Sequence, residues 1–260
     1  MKVLSIMSRK VYTIPKKSNV DEALRIMFKK DISRLIIVEN DYPVGIVTIR
    51  DIMDRLGSSR LKNLPPSRIR ISTVMSENLI TITPDADVKE AVNIMLERNI
   101  SGIPVVEREK LVGILTKTDL IKLLRNEERV SISPVFQKIN FTVTPLTRIV
   151  HIKRLFHDYN LKLVPVSEEN KLVGLVTERD LAKAFYGIRS TVEDPYKMDV
   201  RVRSLIAEDI MIQNPPYVEQ TTSVGEAVNM MLQNKLPGLP VVSEFTPIGV
   251  IQKGHLLTFL

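Results

Sequence analysis

"GIVTIRD", residues 45–51, starts with a glycine inside an apolar run and ends on a threonine–acid spacing of the kind that opens a helix. The same pattern returns as "GILTKTD" at 113–119 and "GLVTERD" at 174–180. A fourth version, "GVIQKGH" at 249–255, keeps the glycine and the apolar pair but has neither threonine nor aspartate. Working outward from the four glycines, 38 residues upstream stand Met7, Met75, Phe136 and Met211, and 22 upstream stand Ala23, Ala91, Ile152 and Ala227. Met27, Met95, Phe156 and Met231 lie 18 upstream. No gaps are needed, so the chain is four copies of one unit.

Each copy reads as β-α-β-β-α. In the second, Val88, Ala91, Val92, Met95 and Leu96 follow i, i+3, i+4, i+7, i+8, the apolar stripe of a helix. Asn19 with Glu22, Asp87 with Glu90, and Ser223 with Glu226 have the spacing of capping boxes. Two apolar strands follow, as in "GIPVV" and "LVGIL", and then a short helix such as "DLIKLL". The third copy departs from this. Arg148 and His151 replace its cap pair, and Lys153 and His157 interrupt its stripe, which predicts a poorly capped, partly exposed helix.

One unit of about 55 residues cannot cover both faces of its own sheet, whereas two together can. The expected organisation is α+β, with modules at 1–125 (repeats 1–56 and 71–125) and 126–260 (repeats 132–186 and 206–260). Residues 57–70 read as a basic, proline-containing linker and 186–205 as a longer loop.

The bulk properties fit a globular chain of 260 residues with 44 % hydrophobic residues. Absence of cysteine excludes disulfides, thiolate metal sites and cysteine nucleophiles. No apolar run approaches bilayer length, and the opening "MKVLSIMSRK" is too short in its apolar part for a signal peptide, so a soluble cytoplasmic protein is expected. The net charge of +7 is lopsided: residues 1–125 carry 22 Lys plus Arg against 15 Asp plus Glu, and the remainder carries 15 of each. That asymmetry points to an anionic partner for the first half.

"SGIPVV" followed by "LVGILTKTDL" resembles the CBS domain, named for cystathionine beta-synthase, in which paired repeats form a Bateman module. The likeness spans nearly the whole chain, four times over. It implies a regulatory rather than catalytic protein. The implied ligands are AMP, ADP, ATP or S-adenosylmethionine-like molecules, held between paired repeats, with an unidentified protein as the regulated partner and homodimerisation through the modules.

The Thr-x-x-Asp pairs have two readings. Thr48 with Asp51, Thr116 with Asp119, and Thr177 with Asp180 satisfy helix N-termini as capping boxes. The same groups suit a nucleotide, because a helix N-terminus and a hydroxyl face phosphate while a carboxylate accepts from a ribose diol. The resemblance carries the second role onto these positions. It also places Ser33, Arg34, Ser101 and Lys162 at a loop-to-strand border beside the ligand. Arg34 is either a bidentate phosphate ligand or a solvated arginine. Arg50, Thr118 and Arg179, each just before the aspartate, either reach phosphate or face water. Gln252 and His255 should leave the fourth copy without a ribose acceptor. The first module, with two intact pairs and basic residues including Arg60, Lys62, Arg68 and Arg70, is expected to hold the tighter site.

No metal site is expected, since His151 and His157 lie six apart and so on different helix faces. No nucleophile elbow or phosphate-binding loop motif occurs, and four repeats use up the chain, so an enzyme is not expected. Two other functions remain open: nucleic-acid binding through the basic half, weakened by 5 % aromatic content, and a dimerisation scaffold.

Overall fold

The structure is a computed structural model that describes residues 1–57, 64–191 and 194–260. Arg60 and Lys62 of the basic linker lie outside the described residues.

Repeat 1 contains β1 (Thr13–Pro15), α1 (Val20–Lys29), β2 (Arg34–Glu39), β3 (Tyr42–Thr48) and α2 (Ile49–Leu56). Repeat 2 contains α3 (Val88–Glu97), β4 (Gly102–Glu107), β5 (Lys110–Thr116) and α4 (Lys117–Ile121). Repeat 3 has β6 (Gln137–Lys138), α5 (Ile149–Asp158), β7 (Leu163–Glu168), β8 (Lys171–Thr177), α6 (Glu178–Thr191) and α7 (Pro195–Ser204). Repeat 4 has β9 (Ile212–Gln213), β10 (Val218–Glu219), α8 (Val224–Gln233), β11 (Gly238–Ser243), β12 (Thr246–Gln252) and α9 (Lys253–Leu256).

Each copy turns its hairpin without glycine. Asn40–Asp41, Arg108–Glu109, Glu169–Asn170 and Glu244–Phe245 all have positive φ, as two-residue type I′ turns demand. The bulge falls at equivalent places, between Ile37 and Val38, Val105 and Val106, Val166 and Ser167, and Val241 and Val242. Beside it stands the repeated glycine, as in the register Ile37↔Gly45.

That glycine is needed by the other repeat of the pair. The segment preceding each repeat crosses to the neighbouring hairpin: β6 of repeat 3 pairs with β12, and β9 of repeat 4 pairs with β8. Ser8 bridges Ile114, and Ser76 bridges Ile46. A Cβ on Gly45 would lie 2.8 Å from the Ser76 carbonyl oxygen and 3.2 Å from Met75 Sδ, and one on Gly113 would lie 2.6 Å from Met7 Sδ. Gly174 meets Met211, and Gly249 meets Phe136 and the Gln137 carbonyl, in the same way. The large residue and the glycine 38 positions later therefore touch, but across a pair of repeats: 1 with 2, and 3 with 4.

The two pairs meet through their second helices, α2 against α6 and α4 against α9. The polar interruptions of α5 serve this contact. Lys153 Nζ lies 3.6 Å and His157 Nε2 2.7 Å from Asp54 Oδ1 on α2. The helix is partly exposed as expected, with Val150, His151, Arg154 and His157 exposed, but it buries Ile149, Ile152, Leu155 and Phe156, and Lys153 and His157 reach the opposite module. Arg148 indeed supplies no side-chain cap.

The stretch 186–205, expected as a loop, is largely helical. α6 continues to Thr191, and α7 begins at Pro195, with Asp194 accepting from the N–H groups of Tyr196 and Lys197. An aspartate cap followed by proline at the first helical position was the overlooked start signal.

Candidate functional site

The junction between second strand and second helix is built alike in the first three repeats. Thr48 donates its N–H and its hydroxyl to Asp51 Oδ2, both at 2.7 Å, and Asp51 N–H donates back to Thr48 Oγ1 at 3.3 Å. Thr116 with Asp119 and Thr177 with Asp180 repeat this, the hydroxyls donating at 2.6 Å. In repeat 4 the Gln252 N–H donates to His255 Nδ1 at 3.3 Å, so an imidazole takes over the carboxylate's capping task. Burial, with Lys117 adding to it, lowers the His255 pKa to about 4, which leaves the ring neutral near pH 7.

The three carboxylates differ in what they have left. Asp119 is buried, and its Oδ1 accepts from Ser8 Oγ and Lys122 Nζ, each at 3.2 Å. Asp51 and Asp180 spend Oδ2 on their caps, and among the described residues Oδ1 of neither accepts a hydrogen bond. Burial raises the pKa of both, against the opposing hydrogen bonds from their threonines.

Arg34 and Ser101 come together. Arg34 Nη1 donates to the Ser101 carbonyl and Nη2 to Ser101 Oγ at 2.9 Å, while the buried Nε has no partner. Burial lowers the Arg34 pKa to about 10, against attraction from Asp119 and Glu178. Ser33 is exposed and supplies its carbonyl to the Ile49 N–H at 2.9 Å.

Arg50 and Arg179, both partly buried, reach across to the other module. Arg50 donates to Glu178 and to the Leu161 carbonyl, and its Nη1 lies 3.4 Å from Asn160 Oδ1. Arg179 donates to the carbonyls of Met27 at 3.0 Å and Ile32 at 3.3 Å, pairs with Asp31 at 3.0 Å and covers the Phe28 ring. Ile32 and Leu161 are equivalent positions, so repeats 1 and 3 hold each other by a reciprocal arginine clasp. Thr118 sits in the matching contact between repeats 2 and 4, where it accepts from Lys253 Nζ at 3.1 Å.

Two residues escaped the sequence reading: Lys117 and Lys253, immediately after the capping residues Thr116 and Gln252. The signal was available in the heptads, where this position reads Ile49, Lys117, Glu178, Lys253. Burial, aided by repulsion from neighbouring cations, lowers both lysines to a pKa of about 8. Lys162 is lowered too, first by burial, although Glu178 Oε2 stands 3.6 Å away. Its N–H is taken by Gln252 Oε1 at 2.8 Å, so the glutamine of repeat 4 fills the loop of repeat 3. Arg34, Lys117, Lys162 and Lys253 act on one another electrostatically, with Asp119 and Glu178 as the carboxylates among them. The inner ends of the four repeats thus gather excess positive charge.

The protein MJ1225 of Methanocaldococcus jannaschii is 26 % identical over 97 % of this chain and 96 % of its own length. Its crystal structure, described as that of a candidate archaeal homologue of g-AMPK, matches with a TM-score of 0.86 at 25 % identity, covering 100 % of this chain and 99 % of that one. A conserved protein from Pyrococcus horikoshii shares the fold, with a TM-score of 0.66 at 23 % identity over 100 % of this chain and 99 % of its own. Inosine-5'-monophosphate dehydrogenase of Aquifex aeolicus is 37 % identical over 41 % of this chain, a match that spans only 22 % of that enzyme. The CBS domain model matches residues 3–58, 71–126, 132–187 and 207–260. With four such domains covering nearly its whole length, the chain belongs to the CBS-domain family.

Proposed function

We propose that this protein is a non-catalytic sensor that binds adenine nucleotides between paired repeats and thereby modulates a partner protein. The observation that carries the reading is the second oxygen left on Asp51 and on Asp180. A ribose diol requires an acceptor of that kind, and a carboxylate supplies the strongest one available to a side chain. The helix N-termini of α2 and α6 lie beside the two carboxylates and suit phosphate.

The excess of cations at the inner ends favours a phosphorylated tail over the sulfonium of S-adenosylmethionine, which would meet like charge. The kinship with MJ1225, described as a candidate homologue of g-AMPK, supports the same ligand class. Asp119 is a weaker candidate because Ser8 and Lys122 already use its remaining oxygen. Calorimetric titration of the full chain with AMP, ADP, ATP and S-adenosylmethionine tests the proposal. Two nucleotides per chain, with S-adenosylmethionine weaker, is the expected result; absence of binding by all four overturns it.

A further inference from the structure

The four repeats offer four equivalent places where the incoming segment passes the C-terminal end of the first helix, and only repeat 1 fills its place with cations. Arg9, Lys10, Lys29 and Lys30 stand there, all exposed. The equivalent residues are Glu77, Asn78, Glu97 and Arg98 in repeat 2, and Lys138, Ile139, Asp158 and Tyr159 in repeat 3. In repeat 4 they are uncharged: Gln213, Asn214, Gln233 and Asn234. The fold therefore does not require positive charge at this place.

Lys10 and Lys30 come from different elements yet converge on one ring, their Nζ atoms 5.6 and 5.9 Å from the centroid of Tyr12. In repeat 3 the positions of Tyr12 and Lys30 are taken by Phe141 and Tyr159, which simply pack ring against ring at 4.8 Å. A ring face offsets only part of one ammonium charge, and here it is shared by two. Among the described residues, none of the four cations pairs with a carboxylate. Asp31, next in the chain, is drawn away by Arg179 at 3.0 Å and Lys235 at 3.3 Å.

We infer that Lys10 and Lys30, converging on Tyr12, and their exposed chain neighbours Arg9 and Lys29 form a docking surface for the phosphate backbone of a nucleic-acid duplex. Protein partners are held mainly by apolar or aromatic anchors at the centre of an interface. No exposed large apolar side chain falls within residues 9–12 or 28–30. Tyr12 is half-buried beneath the two ammonium groups, so it offers no free face for stacking unpaired bases. What remains is charge, and charge reads phosphates without reading sequence. None of the four cations is among the residues proposed for the nucleotide, so failure of this surface would leave the proposed function standing.

The test is fluorescence anisotropy of the full chain with two labelled duplexes of about 20 base pairs and unrelated sequence, across a range of salt. Both should bind equally, with log K falling against log salt at a slope of about −3 to −4, the value for four neutralised phosphates. The variant carrying Arg9→Gln, Lys10→Gln, Lys29→Gln and Lys30→Gln should bind at least tenfold more weakly with a shallower slope. Lys10→Gln with Lys30→Gln alone should fall between. A control, Arg108→Gln with Lys110→Gln, removes two exposed charges from a hairpin of repeat 2 and should change nothing. No binding at low salt, or an equal loss in the control, overturns the inference. So does poly-glutamate binding as tightly as the duplexes, which would reassign the surface to an acidic protein.

Discussion

Arg34 occupies the space that a side chain at position 102 would need: a Cβ on Gly102 would stand 2.3 Å from Arg34 Nη1 and 3.1 Å from its Cζ. The equivalent pair in the second module is Leu163 with Gly238, whose added Cβ would stand 2.7 Å from Leu163 Cδ2. Each module therefore admits one long side chain at the meeting point of its two repeats and requires glycine on the other. In the first module that side chain carries charge.

The two glycines should respond differently to alanine. At Gly102 the obstacle is a flexible guanidinium, so Gly102→Ala should expel Arg34 from Ser101 at a cost of about 1–2 kcal/mol. At Gly238 the nearest atom is the Ile251 carbonyl oxygen at 2.3 Å, which is backbone and cannot step aside. Gly238→Ala should cost about 3 kcal/mol or more. Chemical denaturation compares them, and Gly102→Ala combined with Arg34→Ala should cost less than the sum of the singles.

Asp51→Asn and Asp180→Asn should each weaken nucleotide binding about tenfold, through loss of a charge-assisted acceptor. Their thresholds of unfolding without ligand should move little, because an amide oxygen still caps. Asp119→Asn should show the opposite balance: a stability loss of about 1 kcal/mol from weaker bonds to Ser8 and Lys122, with a smaller effect on affinity. Calorimetry beside thermal melting separates the two patterns.

The reciprocal clasp sets an expectation for each half of the chain. Residues 1–125 expressed alone should unfold cooperatively, but with the α2 face uncovered they should associate into dimers, visible by light scattering. In the full chain, Arg50→Ala with Arg179→Ala should cost about 2–4 kcal/mol, since both arginines donate to carbonyls and carboxylates at a closed interface. It should also split a single melting transition into two.

Lys117 and Lys253 should give the proposed nucleotide binding a dependence on pH. Their pKa values fall from 10.5 to about 8 on folding, so between those limits the unfolded chain binds more protons. Stability of the unliganded protein should accordingly rise with pH through that window. Anionic phosphate near the same lysines favours their charged forms, so ATP should bind more weakly as pH rises past about 8, with protons taken up on binding. Titration in buffers of different ionisation enthalpy reads this uptake, and Lys117→Met with Lys253→Met should abolish it.

Much of this was visible in the residues. Four glycines at constant spacing gave the repeat, its helices and its capping pairs, because local chemistry and the core both demanded the same pattern. The spacing could not say that Met7 packs on Gly113 rather than on Gly45, since identical repeats look alike whether a segment stays home or crosses over. The clasp of Arg50 and Arg179 was not legible for a related reason: a long cation before a capping aspartate says nothing of which surface arrives opposite. The helix α7 was missed because its polar sequence hides an otherwise clear aspartate–proline start. Lys117 and Lys253 stood out in the aligned repeats as charges at one position, but their burial beside one another's neighbours emerges only when the inner ends of the repeats come together.

The crossing of segments between repeats also imposes an order on synthesis. Ser8 pairs with Ile114, and Gln137 with Val250, so the first strand of each pair is made long before its partner exists. At roughly 5–20 residues per second, a wait of about 100 residues lasts on the order of 5–20 s. Through that interval Met7 and Phe136 have no glycine to cover, and the ribosome holds an apolar segment whose place has not yet been translated. The second module carries the same delay, because β6 must stay available until β12, its partner from the other repeat, has been made.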